Sequence, residues 1–522
     1  MAASSASESA GSGVEAGVTD RATAATASEA TVPLSHAYRV TGWVFPRLLG
    51  LVYGLAFLSL WSQVIGLIGH DGILPADQYL TAVEAHLGTS RLWLCPTLCW
   101  ISDSNGMLHV LCTAGVLCSG CAMIGIAPRY ALAVLWIFYL SLVSVGQAFL
   151  NYQWDVLLLE AGFIGFLMAP SSLGFHRLNG TGPAVAVVLL LRLLLFKLMF
   201  LSGTVKLASH DEVWWDLSAL TVHYQTQPLP TWIGWYAHQL SYWIQWLCCF
   251  IMFIVELIMP FFIFGTRGMR WCAFALFIGF QIAIALTGNY CFFNLLTIAL
   301  CISLLDDASW VRVLPAKICT RLCAQVPRRR RLAQWSYAAT AAVIATLSLS
   351  FMMLRLMPDI RFPEWLRTVL VTIQPFRTIN TYGLFADMTT RRLEIVIEGS
   401  MDGQHWQCYE FKYKPGDVNR RPVFVAPHQP RLDWQMWFAA LQVNRIPSWY
   451  GRFVMRILEG SPSVLSLLEH NPFPDQPPRY VRSMLYEYRF TDSTTRQATR
   501  AWWQRSTAGM YAPAVSLPAA AK

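Results

Sequence analysis

From about residue 43 the chain alternates between apolar blocks of about twenty residues and short polar stretches. A block of that length crosses a hydrocarbon layer about 30 Å thick. The pattern predicts about nine spans, at 43–68, 106–126, 130–150, 156–170, 183–206, 241–265, 271–287, 291–305 and 335–357. The fourth is short, and only Gly288, Asn289 and Tyr290 separate the seventh from the eighth. Residues 1–42 read the opposite way: Ala, Ser, Thr, Glu and Gly without periodicity, expected to be a disordered cytoplasmic segment. They lack the basic start and short apolar core of a cleavable signal peptide, so the first span is expected to act as an uncleaved anchor.

Beyond about 375 the period changes. Leu393, Ile395 and Ile397 alternate with Glu394, Val396 and Glu398, the pattern of a half-buried strand. Asp402-Gly403 supplies a turn before a second strand through Tyr409, Phe411 and Tyr413, closed by Lys414-Pro415-Gly416-Asp417. Asp433 to Leu441 and Val464 to Leu468 read as short helices, and Arg479 to Phe490 as a further strand. The predicted fold is a polytopic α-helical membrane bundle at 43–358 followed by a small β-rich α+β exoplasmic domain at 359–522.

Composition agrees. Of 522 residues 55% are hydrophobic and 13% charged, about half the charged share of an ordinary soluble chain. The charges that remain are one-sided. With the N-terminus in the cytoplasm, the inner loops carry Arg129, Arg177, Arg267, Arg270, Arg312, Lys317, Arg321 and the run Arg328 to Arg331. The outer loop between Ala208 and Leu240 has no Lys or Arg, and the 69–105 loop has only Arg91. This bias follows the positive-inside rule, and an odd span count puts the C-terminal domain outside the cytoplasm. That domain is Arg-rich, which suits an acidic partner, anionic headgroups or simply water; no nucleic-acid partner is expected.

Polar residues inside spans are costly and therefore informative. Asp155, Glu160, Arg192, Lys197, Lys206, Glu256 and Gln281 lie in or beside apolar blocks. Arg192 and Lys206 are about four turns apart and share a helix face, with Lys197 off it. Such residues serve either a proton or ligand pathway or buried ion pairs that set helix packing. Two outer clusters are dense in polar and aromatic residues: Asn151-Tyr-Gln-Trp-Asp155, and His223, Tyr224, Gln225, Thr226, Gln227, Pro228, Leu229 and Pro230. The second is either a contact surface or a re-entrant plug.

Most of the 13 cysteines sit in spans as small hydrophobes. Cys118-Ser-Gly-Cys121 lacks a redox-fold context, Cys95 and Cys99 are near enough in sequence to bridge, and the C-terminal domain has only Cys408. The sequon Asn179-Gly-Thr181 falls on the cytoplasmic side and is expected to be unused. No metal-ligand spacing, GxSxG, Walker loop or GxGxxG occurs, so no metal, cofactor or catalytic set is expected.

Several stretches resemble the lipase maturation factor family of ER membrane proteins: Asn151 to Glu160, Ala219 to Pro230, Asn380-Thr-Tyr-Gly-Leu-Phe385, the block from Tyr409-Glu-Phe-Lys to Arg431-Leu-Asp-Trp-Gln-Met-Trp-Phe438, and His470-Asn-Pro-Phe473. The resemblance implies a chaperone-like factor for secretory clients such as homodimeric lipases, engaged by a lumenal C-terminal domain. It makes His223, Tyr224, Thr226, Gln227, Pro228, Asn380, Tyr382, Gly383, Arg420, Arg421, Asp433, Trp434 and Trp437 the client-contact candidates, with Arg420, Arg421, Asp433 and Trp434 facing the lumen. Animal members place cysteines in the stretch matching Lys412 to Val423, whereas this chain has Tyr413 and Val423, so that crosslink is expected to be absent. The final Ala521-Lys522 offers no KDEL-type signal, and a bacterial cytoplasmic membrane is the alternative home. A wider similarity, to the vitamin-K-dependent γ-glutamyl carboxylase-like membrane superfamily, implies instead an enzyme with Lys197 or Lys206 as base. A transporter using Glu160 or Glu256 is a third reading.

Overall fold

The computed structural model describes residues 37–518 apart from 177, 179–181, 316–330 and 358. The sequon, Arg177, Lys317, Arg321, the run to Arg330 and most of the N-terminal segment lie outside the described residues.

Helices occupy all nine expected spans: α1 Arg39–Trp61, α2 Asn105–Ile124, α3 Pro128–Val145, α4 Gln153–Met168, α5 Val185–Ala208, α6 Tyr242–Phe262, α7 Arg267–Thr287, α8 Phe293–Cys301 and α9 Arg331–Leu356. Seven are long and apolar enough to cross a membrane; α4 and α8 are shorter. Local chemistry sets their ends. The Ser104 side chain accepts from the Met107 N–H at the start of α2, which stops at Gly125 in the left-handed region. Pro128 opens α3. The first span ends seven residues earlier than its hydropathy suggests, because the chain turns at Ser62 and Gln63 before a separate short helix, Val64–Ile68. Gln63 is polar for a reason: it bonds Gln429 and Arg431 of the C-terminal domain.

The cationic ends gather at one face of the bundle. Arg39 pairs with Asp307 at 3.1 Å, Arg267 and Arg270 pair with Asp306, and Arg129 donates to the Ala169 carbonyl. The C-terminal domain sits on the opposite face, against the loops predicted to be outer. Burying the two sets of groups at opposite ends of the same helices agrees with the charge alternation.

After α9, an amphipathic helix α10, Glu364–Ile373, leads into the domain. A five-stranded antiparallel sheet has the order β3-β2-β1-β4-β5. Its strands are β1 Arg392–Ser400, β2 Gln407–Phe411, β3 Leu468–His470, β4 Tyr480–Phe490 and β5 Trp503–Val515. In register, Ile395 faces Leu485 and Ile397 faces Tyr409. Helices α11, Arg431–Leu441, and α12, Ser448–Leu458, pack beside it. β5 and α12 were not signalled by the alternation; β5 interleaves small and polar residues with irregular register against β4.

Strand β1 departs from expectation. It is buried on both faces: Glu394 is 1% exposed and Glu398 8%. Its carboxylates are neutralised within the domain, Glu394 by Arg392 and Lys414 and Glu398 by Arg482, and Arg392 on the same face also reaches carbonyls of the bundle's outer loop. The apolar core is accordingly continuous from bundle to sheet, running from Phe57 and Leu158 through Trp434 to Ile397.

Candidate functional site

Most of the residues singled out by sequence meet in the seam between the outer face of the bundle and the C-terminal domain. Three charged nodes hold it. At the first, Arg431 at the start of α11 reaches down to Asp155 at the start of α4 with two parallel bonds, Nη2 to Oδ1 at 2.8 Å and Nη1 to Oδ2 at 2.9 Å. Tyr139 of α3 donates its hydroxyl to the same carboxylate at 2.5 Å, and Arg431 also donates to the Phe149 carbonyl. The fork geometry of guanidinium on carboxylate, buried at 1% and 0% side-chain exposure, makes this a strong, directional contact.

At the second node Glu160 of α4 accepts from Lys197 of α5 at 2.5 Å, from the Tyr382 hydroxyl at 2.7 Å and from the Asn380 backbone N–H at 2.9 Å. Lys197 gives its other protons to Ser348 of α9 and the Asn380 carbonyl. Every ammonium proton is thus used. Lys197 lies off the side from which Lys206 meets α6, turning instead to α4 and α9, and all three cations of α5 are buried because it packs among α4, α6, α8 and α9. Among the described residues Arg192 joins no carboxylate; it donates to the Ser303 carbonyl and the Tyr38 hydroxyl.

The third node ties the sheet to the outer loop. Arg392 of β1 donates to the carbonyls of Gln225, Gln227 and Pro228, and to Glu394 at 2.7 Å. Burial in this seam opposes its charge, and the carbonyl cluster and Glu394 compensate. Trp437 donates to the Thr226 carbonyl at 2.8 Å, and Asn289 bridges the loop to the backbone of Val423, Val425 and Ala426. Gly383 and Gln153 exchange two bonds. The 223–230 segment is therefore not a free loop. It runs from the last turn of a short helix, Ala219–Thr226, into a buried stretch packed on the bundle, and the carbonyls of Gln225, Gln227 and Pro228 dock the sheet.

These contacts correct the lumenal placement of Asp433 and Trp434, and the contact candidate Trp437 is covered with them. All three are buried, at 2%, 3% and 7% exposure. Asp433 caps the backbone N–H groups of Tyr413 and Lys414, and Trp434 stacks edge-on against Trp154 of α4. Of the four residues expected at the surface, Arg421 is exposed, lying over the Trp232 ring; Arg420 is half-buried and bonded to the carbonyls of Phe411 and Lys412. Cys95 and Cys99 are both buried free thiols.

This seam is spread over both halves of the chain, and both halves match known families. Residues 40–312 match the lipase maturation factor transmembrane domain, and residues 378–513 match the lipase maturation factor C-terminal domain. The chain belongs to the lipase maturation factor family. Lipase maturation factor 2 of Gallus gallus is 36% identical to it over 578 residues, covering 90% of this chain and 80% of the relative. The Homo sapiens lipase maturation factor 2 is 33% identical, covering 92% and 83%. Lipase maturation factor 1 of Bos taurus is 34% identical, covering 91% and 89%. No solved structure matches. As a member of this family with its run of apolar helices, the chain is a multi-pass membrane protein.

A second polar cluster lies outside the seam, within the bundle. Lys206 of α5 pairs with Glu256 of α6 at 2.6 Å and donates to the Ser202 carbonyl. The close approach depends on Gly203, where an added Cβ would come within 3.0 Å of Glu256 and 2.8 Å of Leu257. Around Glu256 the helix widens to a π turn, Ile254–Ile258, a distortion frequent at functional sites. Buried ion pairs among these residues are expected from their place in apolar blocks, but which cation Glu256 takes is not, since that depends on how α5 and α6 are rotated. The seam partners Tyr139, Gln63, Asn289 and Arg392 had no distinguishing signal; each is an ordinary residue in local context. Among the described residues no group of three His, Cys, Asp or Glu could hold a metal.

Proposed function

We propose that this chain is a membrane-anchored maturation factor that assists folding and assembly of secreted enzymes, homodimeric lipases among them, in the endoplasmic reticulum membrane. The observation that carries the reading is the docked C-terminal domain. Three buried charged nodes fix its orientation on the face of the bundle away from the cationic ends, the lumenal side by the positive-inside rule. Buried residues such as Asp433, Trp434, Tyr382 and Gln227 hold that platform, and the client contacts fall on its exposed parts. Those are Arg421 with the neighbouring Val423 and Phe424, 36% and 44% exposed, and strand β5, which has β4 on one side and no named strand on the other. An open edge strand can pair with an incompletely folded chain through backbone hydrogen bonds.

The test is rescue. In lipase-secreting cells lacking their own factor, this chain should restore the specific activity of secreted lipase, and site-specific crosslinkers at Arg421 and Met510 should capture the lipase. Normal membrane insertion with neither rescue nor crosslink would overturn the reading. The double variant Arg421→Glu, Met510→Asp should insert and fold but lose most of the rescue, since Met510 is 60% exposed and holds nothing in place.

A further inference from the structure

The Lys206–Glu256 pair borders a cavity of about 460 Å³, within the range of about 300–1,000 Å³ that holds small-molecule ligands. Taking about 30 Å³ per water-sized group, it accommodates roughly fifteen such groups, one acyl chain with a small head. Its walls are largely apolar and come from α5, α6 and α7, with Leu384 and Phe385 of the C-terminal domain as a roof. It lies in the outer half of the membrane layer, since the lining residues of α5 and α7 fall toward their outer ends. One wall is open to lipid: Ile251 on α6 and Leu276 on α7 line the cavity yet are 45% and 38% exposed.

Polar groups without protein partners point to what fills it. Asn294 donates to Gln281 at 2.9 Å, and Gln281 Nε2 and Asn294 Oδ1 have no hydrogen bond among the described residues. Tyr290 donates its proton to Gln227, so its lone pair receives the Nε2 proton of His223. That leaves His223 Nδ1 a buried acceptor with no partner. Within a membrane such groups are costly unless a ligand or water meets them. The charges, by contrast, are already balanced. Lys206 has Glu256, and burial beside Lys206 holds the His223 imidazole neutral, with a pKa of about 4. A charged head would leave an uncompensated ion here.

We propose that this cleft binds an uncharged membrane lipid bearing hydroxyl or carbonyl groups, of the diacylglycerol type. The lipid enters sideways between α6 and α7, its head on the Gln281–Asn294 amides and His223 and one acyl chain in the apolar space. The inference is independent of the client reading, because it concerns occupancy and not maturation.

The experiment uses the full chain in nanodiscs with a diacylglycerol carrying a diazirine in one acyl chain. Crosslinks should map to Ile251 and Met252 of α6 and to Leu276 through Ala283 of α7. Unlabelled diacylglycerol should compete and phosphatidate should not. Gly279 lines the cavity with open space where a Cβ would stand, so Gly279→Trp should cut labelling tenfold or more while thermal unfolding stays unchanged. Ala283→Phe narrows the same wall from the next turn and serves if that variant fails to fold. Labelling spread evenly over the exposed faces of α2 and α9, labelling indifferent to both variants, or equal competition by phosphatidate would each overturn the proposal.

Discussion

Two lysine–glutamate pairs lie nine residues apart on α5, and they behave as opposites. Lys197–Glu160 is saturated: three acceptors take the lysine protons, and four donor groups, from Lys197, Asn380 and Tyr382, converge on the carboxylate. Lys206–Glu256 is bordered by a cavity and a widened helical turn. The first pair joins α4, α5, α9 and the C-terminal domain into one body, and the second leaves room for something else. The charge chemistry is the same in both; the difference lies in how many neighbours close around it. A buried pair becomes structural when every polar atom finds a protein partner, and it becomes part of a site when some do not.

That contrast can be broken from its strong side first. Glu160→Gln should leave the Lys197 ammonium without its counter-charge and is expected to destabilise the protein by about 3–5 kcal/mol. In detergent this reads as a loss of monodisperse protein and early release of the C-terminal domain to protease. Lys197→Met, Glu160→Gln together should cost less than either change alone, because no lone charge is then left buried. Asp155→Asn tests the neighbouring node, and its expected loss is similar because Arg431 and Tyr139 both depend on it.

Glu256→Gln is the counterpart on the other pair. Its expected cost is smaller, about 1–3 kcal/mol, since the cavity admits water to the freed Lys206. A thermal shift as large as that of Glu160→Gln would abolish the distinction between the two pairs.

Mild acid sharpens the comparison further. His223 beside the cavity and His428 in the seam are both held at about 4 by burial, the latter also by Arg431 and Lys412. In the unfolded chain each returns to about 6.5, so between pH 6.5 and 4 the unfolded state binds more protons. Stability is therefore present above 6.5 and lost as pH falls toward 4, and the melting temperature should drop by several degrees between pH 7.5 and 5. His223→Asn, His428→Asn should flatten that slope. Smallest of all, Arg421→Glu at the exposed rim should change stability by less than about 0.5 kcal/mol, so any effect on client maturation there is a contact effect.

Hydropathy alone laid out nine apolar segments and the side on which arginines gather, because span length and loop charge are local properties measured against a bilayer of fixed thickness. Alternation located β1, β2 and β4 for the same reason. Which charges would pair was not a local property. Glu160 chose Lys197 and Glu256 chose Lys206, while Arg192 found carbonyl and hydroxyl oxygens, according to how neighbouring helices are rotated and how closely Gly203 lets α5 approach α6. Nor did strand β1 reveal that its acidic face is interior, since a second domain 165 residues away in sequence supplies the carbonyls that Arg392 meets beside Glu394. Trp434 and Trp437 look like surface aromatics until the bundle covers them, and Asp433 is taken up by the backbone of Tyr413 and Lys414. Composition dictates what a segment can cross or bury; only the docking of segments far apart in the chain decides which polar atoms end up with partners and which are left facing a cavity.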